Sequence, residues 1–133
     1  MAKKDEYKLR NEEFLAAKRM EEDVRELQDG VLYRVVNEGV GCVVPRNNSV
    51  VTVHYVGTFI NGREFDNSRK RGYPEAFRVS EVVDGFRLAL LNMHVGDRWM
   101  VYIPYEAGYG KRANGNIPGY STLVFDIELV AIM

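Results

Sequence analysis

Residues 51–72 read VTVHYVGTFINGREFDNSRKRG, and the fold turns on the change of character half-way along this stretch. Its first part is rich in β-branched and aromatic residues, the composition of a half-buried strand. Successive side chains of a strand point to opposite faces, so Val51, Val53 and Tyr55 share one face while Thr52 and His54 share the other. Ile60 to Gly62 then carry the signal of a hairpin turn that sends the chain back antiparallel. The returning arm bears Phe65 and Asp66, followed by three bases, Arg69, Lys70 and Arg71. A basic triplet fits nucleic acid, whereas an acid beside an aromatic fits a small polar feature in an apolar pocket. The formal net charge of −1 removes the whole-chain argument for nucleic acid, because phosphate binding needs a basic surface to release counterions.

The flanking segments agree with a sheet protein. VLYRVVN, WMVYIP and TLVFDIELVAI read as further strands, bounded by Gly, Pro and Asn. Between them SEVVDGFRLALLNMHVGD, residues 80–97, is predicted as helix, with a stripe of Val82, Val83, Phe86, Leu90 and Met93, Ser80 as cap and Gly96 as stop. Strands around one short helix give an α+β fold with a mainly antiparallel sheet. Residues 1–29 form a charged leader. Phe14, Ala17, Met20, Val24 and Leu27 recur there at helical spacing, which predicts an amphipathic helix over Asn11–Gln28 ended by Asp29-Gly30. The chain therefore divides into a helical segment, 1–29, and a sheet domain, 30–133. The leader's apolar stripe is expected to dock on its own domain, with Phe14 and Leu27 against the sheet side away from the active site; a monomer is favoured over a homodimer.

Several function classes are excluded by spacing. No Ser, Cys or Thr lies in a pattern that pairs it with an oriented base. His54 is expected on an exposed strand face, His94 at a helix end, and the single Cys42 buried as a small hydrophobe. Two histidines and one cysteine give no ligand cluster, so no metal and no cofactor are expected. YEAGYGKRANGNIPGYS, residues 105–121, is a long glycine-rich loop of the kind that carries function, yet it lacks the spacing of a phosphate cradle. The opening MAKKDEYKLR has no apolar run of signal-peptide length, and no stretch approaches the roughly 20 apolar residues of a membrane span. A soluble cytoplasmic protein is expected; a periplasmic or outer-membrane-anchored location is the alternative where a targeting segment precedes this chain.

What remains is a set of aromatic and branched residues in a particular order. VTVHYVGTFINGREFDNSRKRG, then VSEVVDGF, MHVGDRWMVYIP, GYG and IPGYSTLVFDIEL, together resemble the FKBP-type peptidyl-prolyl isomerases, the macrolide-binding immunophilins, over about residues 30–133. The leader is similar to the bacterial branch that includes the macrophage infectivity potentiators. The resemblance implies a curved antiparallel sheet wrapped around a short helix. It implies that Tyr55, Phe65, Asp66, Val83, Phe86, Tyr109 and Phe125 make the catalytic pocket, with Val82, Ile117 and Arg71 in substrate binding. Within that set Phe86 is the floor, the Val83 N–H and the Tyr109 hydroxyl bind substrate carbonyls, and Arg71 pairs with Asp66, leaving Arg69 and Lys70 solvated. The implied partners are proline-containing peptides and unfolded proteins, with macrolides of the rapamycin type as inhibitors. Three departures stand out: Phe86 where tryptophan is usual, Glu75 where an aromatic often forms the rim, and a shorter loop with Asn116 near an apolar position. A binding or adaptor module that keeps the proline pocket with little catalysis is the alternative function.

Overall fold

The alternation read in residues 51–55 is realised at the centre of the sheet. The structure, a computed structural model, describes residues 2–133. Val50–Thr58 (β3) buries Val51, Val53 and Tyr55 and leaves Thr52 and His54 on the opposite, partly exposed face. On one side β3 pairs with Leu123–Ile132 (β7); on the other, Glu64–Asn67 (β4) and Glu75–Arg78 (β5) share its length end to end. Arg98–Ile103 (β6) follows β7, then Leu32–Asn37 (β2) and the two-residue strand Arg25–Glu26 (β1), giving the order β1-β2-β6-β7-β3-β4. Every pairing is antiparallel. Register shifts at Thr52/Val53, Gly57/Thr58 and Val35/Asn37 add local twist and help the sheet curve.

One face of the sheet wraps Asp84–Leu90 (α3). Phe86, Leu88, Ala89 and Leu90 pack there with Val101, Ile103, Leu123, Phe125 and Ile127 in a continuous core. This helix is shorter than the predicted 80–97. Val82 is extended, Val83 is the N-cap residue, and Ser80 makes no capping bond. Ser80 lies instead in a separate 3-10 turn, Val79–Glu81, and only Val82 and Val83 are extended between that turn and α3. Elements not foreseen from sequence include β1, β5 and a single helical turn, Ser68–Arg71 (α2).

The leader differs more. Its helix is Lys3–Arg19 (α1), not Asn11–Gln28. Asp29 and Gly30, expected to end a helix, both have positive φ, +58 and +74, and the Val31 N–H donates to the Gln28 carbonyl at 3.2 Å. That is the geometry of the Asp-Gly hairpin turn, which joins β1 to β2. Phe14, Leu15 and Val24 pack with Leu32, Tyr102 and Val124 on the sheet face opposite α3. Phe14 thus lies on the side expected for it, whereas Leu27 joins the main core and Ala17 and Met20 face solvent. Asp5 and Glu6 in the first turn and Lys18 and Arg19 in the last complement the helix dipole. Cys42, expected buried, is exposed in the irregular segment between β2 and β3. No described helix is long and apolar enough to cross a membrane.

Candidate functional site

A cavity of about 520 Å³ opens between the start of α3 and the concave face of the sheet. β3 contributes Tyr55, β4 Phe65 and Asp66, β7 Phe125 and α3 Phe86; Val82 and Val83 come from the approach to α3, and Tyr109 and Ile117 from the long loop. Nine of the ten residues singled out from sequence thus line one cavity, and the tenth, Arg71, touches two of them. The lining also includes Phe77, Glu81, Asn114 and Gly115, which sequence reasoning missed. Phe77 sits opposite Val51 in the register of β5 and β3, and its four-residue strand was too short to show an alternation.

Phe86 is the centre of the floor and only 4% exposed. Its ring meets Phe125 at 5.0 Å, Tyr55 at 5.8 Å and Phe77 at 6.3 Å between centroids, all close to edge-on. Phe65 continues the series, edge-on to Phe125 at 5.6 Å. Edge-to-face contacts set positive ring edges against negative ring faces, so the rings fix one another and leave an apolar surface. A cleft of similar size, about 530 Å³, lies beside α1, but Glu12, Asp29, Asp84 and Glu106 line it and it has no aromatic floor. Lining chemistry, not volume, singles out the first cavity.

The stretch FDNSRKRG builds the polar corner. Asp66 accepts from the Tyr55 hydroxyl and from the Arg71 guanidinium. Arg71 also lies 3.0 Å from Glu75 and 3.4 Å from the Tyr55 oxygen. Glu75 is therefore the second partner of Arg71 and does not line the cavity. α2 makes this reachable: the Asn67 side chain caps it through the Lys70 N–H, and Gly72, in the left-handed region, ends it. Ser68, fully buried, fastens the turn to β3, its Oγ accepting from the Tyr55 N–H at 2.8 Å and donating to the Tyr55 carbonyl at 3.2 Å. His54, expected to be merely solvated, has its Nδ1 2.9 Å from the same oxygen. Arg69 and Lys70, also expected free in solvent, pair with Glu128 and Glu64 at 2.6 and 2.8 Å. Each base of the triplet has a carboxylate partner.

Burial, reinforced by the hydrogen bond to Asp66, pushes the Tyr55 hydroxyl up to about 12. Burial pushes the Asp66 carboxyl up too, but the bonds from Tyr55 and Arg71 outweigh it and hold the group below its ordinary value. The corner is thus a neutral phenol and an ionised carboxylate across the neutral range. Beside the polar side chains of Glu81, Asn114 and Asn116, two more donors belong to lining residues. The Val83 N–H, at the start of α3, and the Tyr109 hydroxyl, on a side chain 40% exposed, have no partner among the hydrogen bonds of the described residues.

The comparisons with known proteins agree with this geometry. The FKBP-type peptidyl-prolyl cis-trans isomerase family matches residues 42–130. The macrophage infectivity potentiator of Trypanosoma cruzi is 40% identical over 120 residues, covering 90% of this chain and 61% of the relative. The FKBP-type 22 kDa isomerase of Escherichia coli K12 is 41% identical, covering 90% and 58%, and the outer membrane protein MIP of Legionella longbeachae 36% identical, covering 98% and 56%. The chain therefore spans little more than half the length of these relatives. Among solved structures, FkpA of Escherichia coli superposes with a TM-score of 0.91 at 38% identity, over 96% of this chain and 60% of that one. A peptidyl-prolyl cis-trans isomerase of Pseudomonas syringae pv. tomato superposes with a TM-score of 0.90 at 34% identity, over 99% and 97%. The chain belongs to the FKBP-type peptidyl-prolyl cis-trans isomerase family.

Proposed function

We propose that the protein is an active peptidyl-prolyl cis-trans isomerase that accelerates rotation about X–Pro bonds of peptides and unfolded proteins. The observation that carries this reading is the aromatic floor around Phe86 with two unpaired donors at its rim. Amide resonance sets a rotational barrier of roughly 18–20 kcal/mol. In the twisted transition state conjugation is lost, the carbonyl becomes less dipolar and the nitrogen regains its lone pair. An apolar pocket disfavours the planar, polar ground state more than the twisted one, and only such a difference accelerates the step. The proline ring is assigned to the floor formed by Phe86, Tyr55, Phe65 and Phe125, with Val82 and Ile117 at its sides. The Val83 N–H and the Tyr109 hydroxyl are assigned to the flanking carbonyls. Asp66, tied by Tyr55 and Arg71, is assigned to hold the Tyr55 ring in place while presenting a fixed negative edge to the amide. Lowering the barrier by about 5 kcal/mol gives between 10³- and 10⁴-fold acceleration.

Every cavity residue lies within 55–125, which supports residues 30–133 as the isomerase domain and 1–29 as a flanking segment. The partial burial of Phe14 and Leu15 against Leu32, Tyr102 and Val124 of the same chain favours a monomer, to be checked by light scattering over a wide concentration range. The Legionella relative's name, outer membrane protein, favours the cell envelope over the cytoplasm, to be checked by fractionation of the source cells. A protease-coupled assay on proline tetrapeptides with varied residues before proline tests the activity, with Tyr109→Phe as the internal probe. Acceleration that falls several-fold in Tyr109→Phe is expected. No acceleration with retained rapamycin binding would point instead to the binding-module function.

A further inference from the structure

A loop that shapes a site must itself be held. Residues 105–122 carry Tyr109 and Ile117, yet their only repeating structure is the turn Tyr105–Ala107 and one bridge between Asn114 and Ile117. Ordering so glycine-rich a segment is costly in entropy. The restraints come from α1. Asn11 is polar but 1% exposed, and both ends of its amide are engaged. Its Nδ2 donates to the Tyr7 carbonyl and its Oδ1 accepts from the Thr122 N–H, each at 2.7 Å. The Tyr7 hydroxyl lies 2.7 Å from Ser121 Oγ, and Ser121 Oγ donates to the Pro118 carbonyl, also at 2.7 Å. A serine hydroxyl has one proton, so Tyr7 is the donor of the first pair. Lys4 and Lys8 hold their ammonium groups 5.7 and 5.1 Å from the ring centre of Tyr120, a residue with φ of +64°, where a side chain larger than glycine needs support from its surroundings.

These contacts run on into the cavity wall. Pro118 follows Ile117, which exchanges both backbone hydrogen bonds with Asn114 at 2.9 Å; the thread from Tyr7 through Ser121 thus fixes the segment that forms one side of the pocket. The Tyr120 N–H donates to the Gly110 carbonyl at 3.0 Å, and the Gly110 N–H to the Tyr105 carbonyl at 2.9 Å, which fixes the residue after Tyr109. No residue of α1 lines the cavity.

We propose that Tyr7 and Asn11 are positioning residues of the active site, through which α1 holds the 105–122 loop in the shape that presents Tyr109 and Ile117 to the peptide. The proposal rests on the isomerase reading above. A merely structural anchor lowers the melting temperature, whereas a positioning residue changes kinetic constants and the loop's spectrum while the protein is fully folded. In the full chain, Tyr7→Phe removes one hydroxyl, Asn11→Ala removes both amide bonds, and Asn11→Asp keeps the acceptor for the Thr122 N–H. The protease-coupled assay, run cold with kcat and KM separated, is paired with amide spectra of Gly110, Asn114 and Ile117. Tyr7→Phe and Asn11→Ala are expected to lower kcat/KM about threefold to tenfold, the kinetic equivalent of one neutral hydrogen bond. The loss falls chiefly on KM, because the aromatic floor is untouched, and the loop amides shift or broaden. Asn11→Asp, whose second oxygen would face the Tyr7 carbonyl where the amide donates, does not restore the parent constants, and Leu9→Ala, on the exposed side of the helix, matches the parent. Parental constants with unmoved loop amides, or a fall in kcat at constant KM, would overturn the proposal. Tyr7→Phe keeps the test decisive if Asn11→Ala does not fold. A parent without isomerase activity would defeat the functional reading instead, and the positioning proposal would then be judged on the loop amides alone.

Discussion

Gly57→Ala is the substitution that most directly probes the aromatic floor. Gly57 lies in β3 directly beneath the rings of Phe65 and Phe125. A Cβ added there would meet Phe65 Cζ at 2.6 Å and Phe125 Cε1 at 2.8 Å, whereas ordinary contact begins at 3.4 Å. The rings must therefore retreat by 0.8 and 0.6 Å, the differences between these distances. Neither has free space: Phe65 is backed by Phe59 at 4.9 Å and Phe125 by Phe86 at 5.0 Å. Overpacking of this kind costs about 1–3 kcal/mol. Alanine's better fit to a strand returns about 0.5–1 kcal/mol, leaving a net loss of about 1–2 kcal/mol. For a chain of this size that lowers Tm by about 3–8 °C.

Activity is expected to suffer more than stability, because the displaced rings are the pocket. Misplacement by about 1 Å at a site that works by fit costs up to 10²-fold, so kcat/KM should fall at least about tenfold while the protein stays folded. Thermal denaturation followed by near-ultraviolet circular dichroism, beside the protease-coupled assay, reads both effects. A variant with parental Tm and parental kcat/KM would refute the reasoning, since it would mean that the two rings do not rest on the strand backbone.

Three other perturbations follow from the same geometry. Asp66→Ala should weaken activity by freeing the Tyr55 ring, but its stability cost should be about 1 kcal/mol or less: the pair is one-third exposed and Arg71 keeps Glu75; urea denaturation showing a loss above about 3 kcal/mol would mean that the corner is far less solvated. The Asp66 carboxyl is held low in the folded state, so its stabilising share is present above the unfolded value near 3.9 and is lost as pH falls through the folded one. The Tyr55 hydroxyl, raised to about 12, contributes stability that is full below about 10 and lost as pH rises from there towards 12. Activity should therefore be level across the neutral range, and a bell centred near pH 7 would contradict the absence of proton transfer. Phe86→Trp should strengthen rapamycin binding by about 1 kcal/mol, through a larger ring and an indole donor at the floor; weaker binding by calorimetry would show that Phe77, 6.3 Å away, leaves no room for it.

The longer strands were legible from apolar patterning, as in the alternation of β3, whereas the cavity residues were legible through the ordered motifs, from Tyr55 to Phe125, that resemble the isomerase family. The leader was not, because the residue that anchors α1 is polar. Asn11 is buried to bond Thr122, and a search for an apolar stripe skips it, selecting instead Ala17 and Met20, which face water. Asp29-Gly30 carries the same letters whether it ends a helix or turns a hairpin; only the pairing of Arg25 and Glu26 with Tyr33 and Leu32 decides it. Likewise, Asn67, Ser68 and Gly72 form a cap, a pin and a stop around Arg71, a design visible only once β4 lies beside β3. Single polar residues acting at a distance in sequence leave no periodicity to read.

On the proposed isomerase reading, close packing at two glycines shapes a site that needs no nucleophile. At Gly85, in the first turn of α3, an added Cβ would lie 2.4 Å from Ile103 Cγ2 on β6, so the helix start is drawn against the sheet more closely than a side chain would allow. That approach brings the Phe86 ring to 5.0 Å from that of Phe125 between centroids. Gly57 does the same from below, letting Phe65 and Phe125 settle on the backbone of β3. Rotation about an amide needs no proton and no covalent bond, so the contribution proposed for the protein is an apolar surface with fixed donors beside it. That surface depends here on missing side chains under the rings, and a methyl group at either glycine should disturb the catalytic pocket before it unfolds the chain.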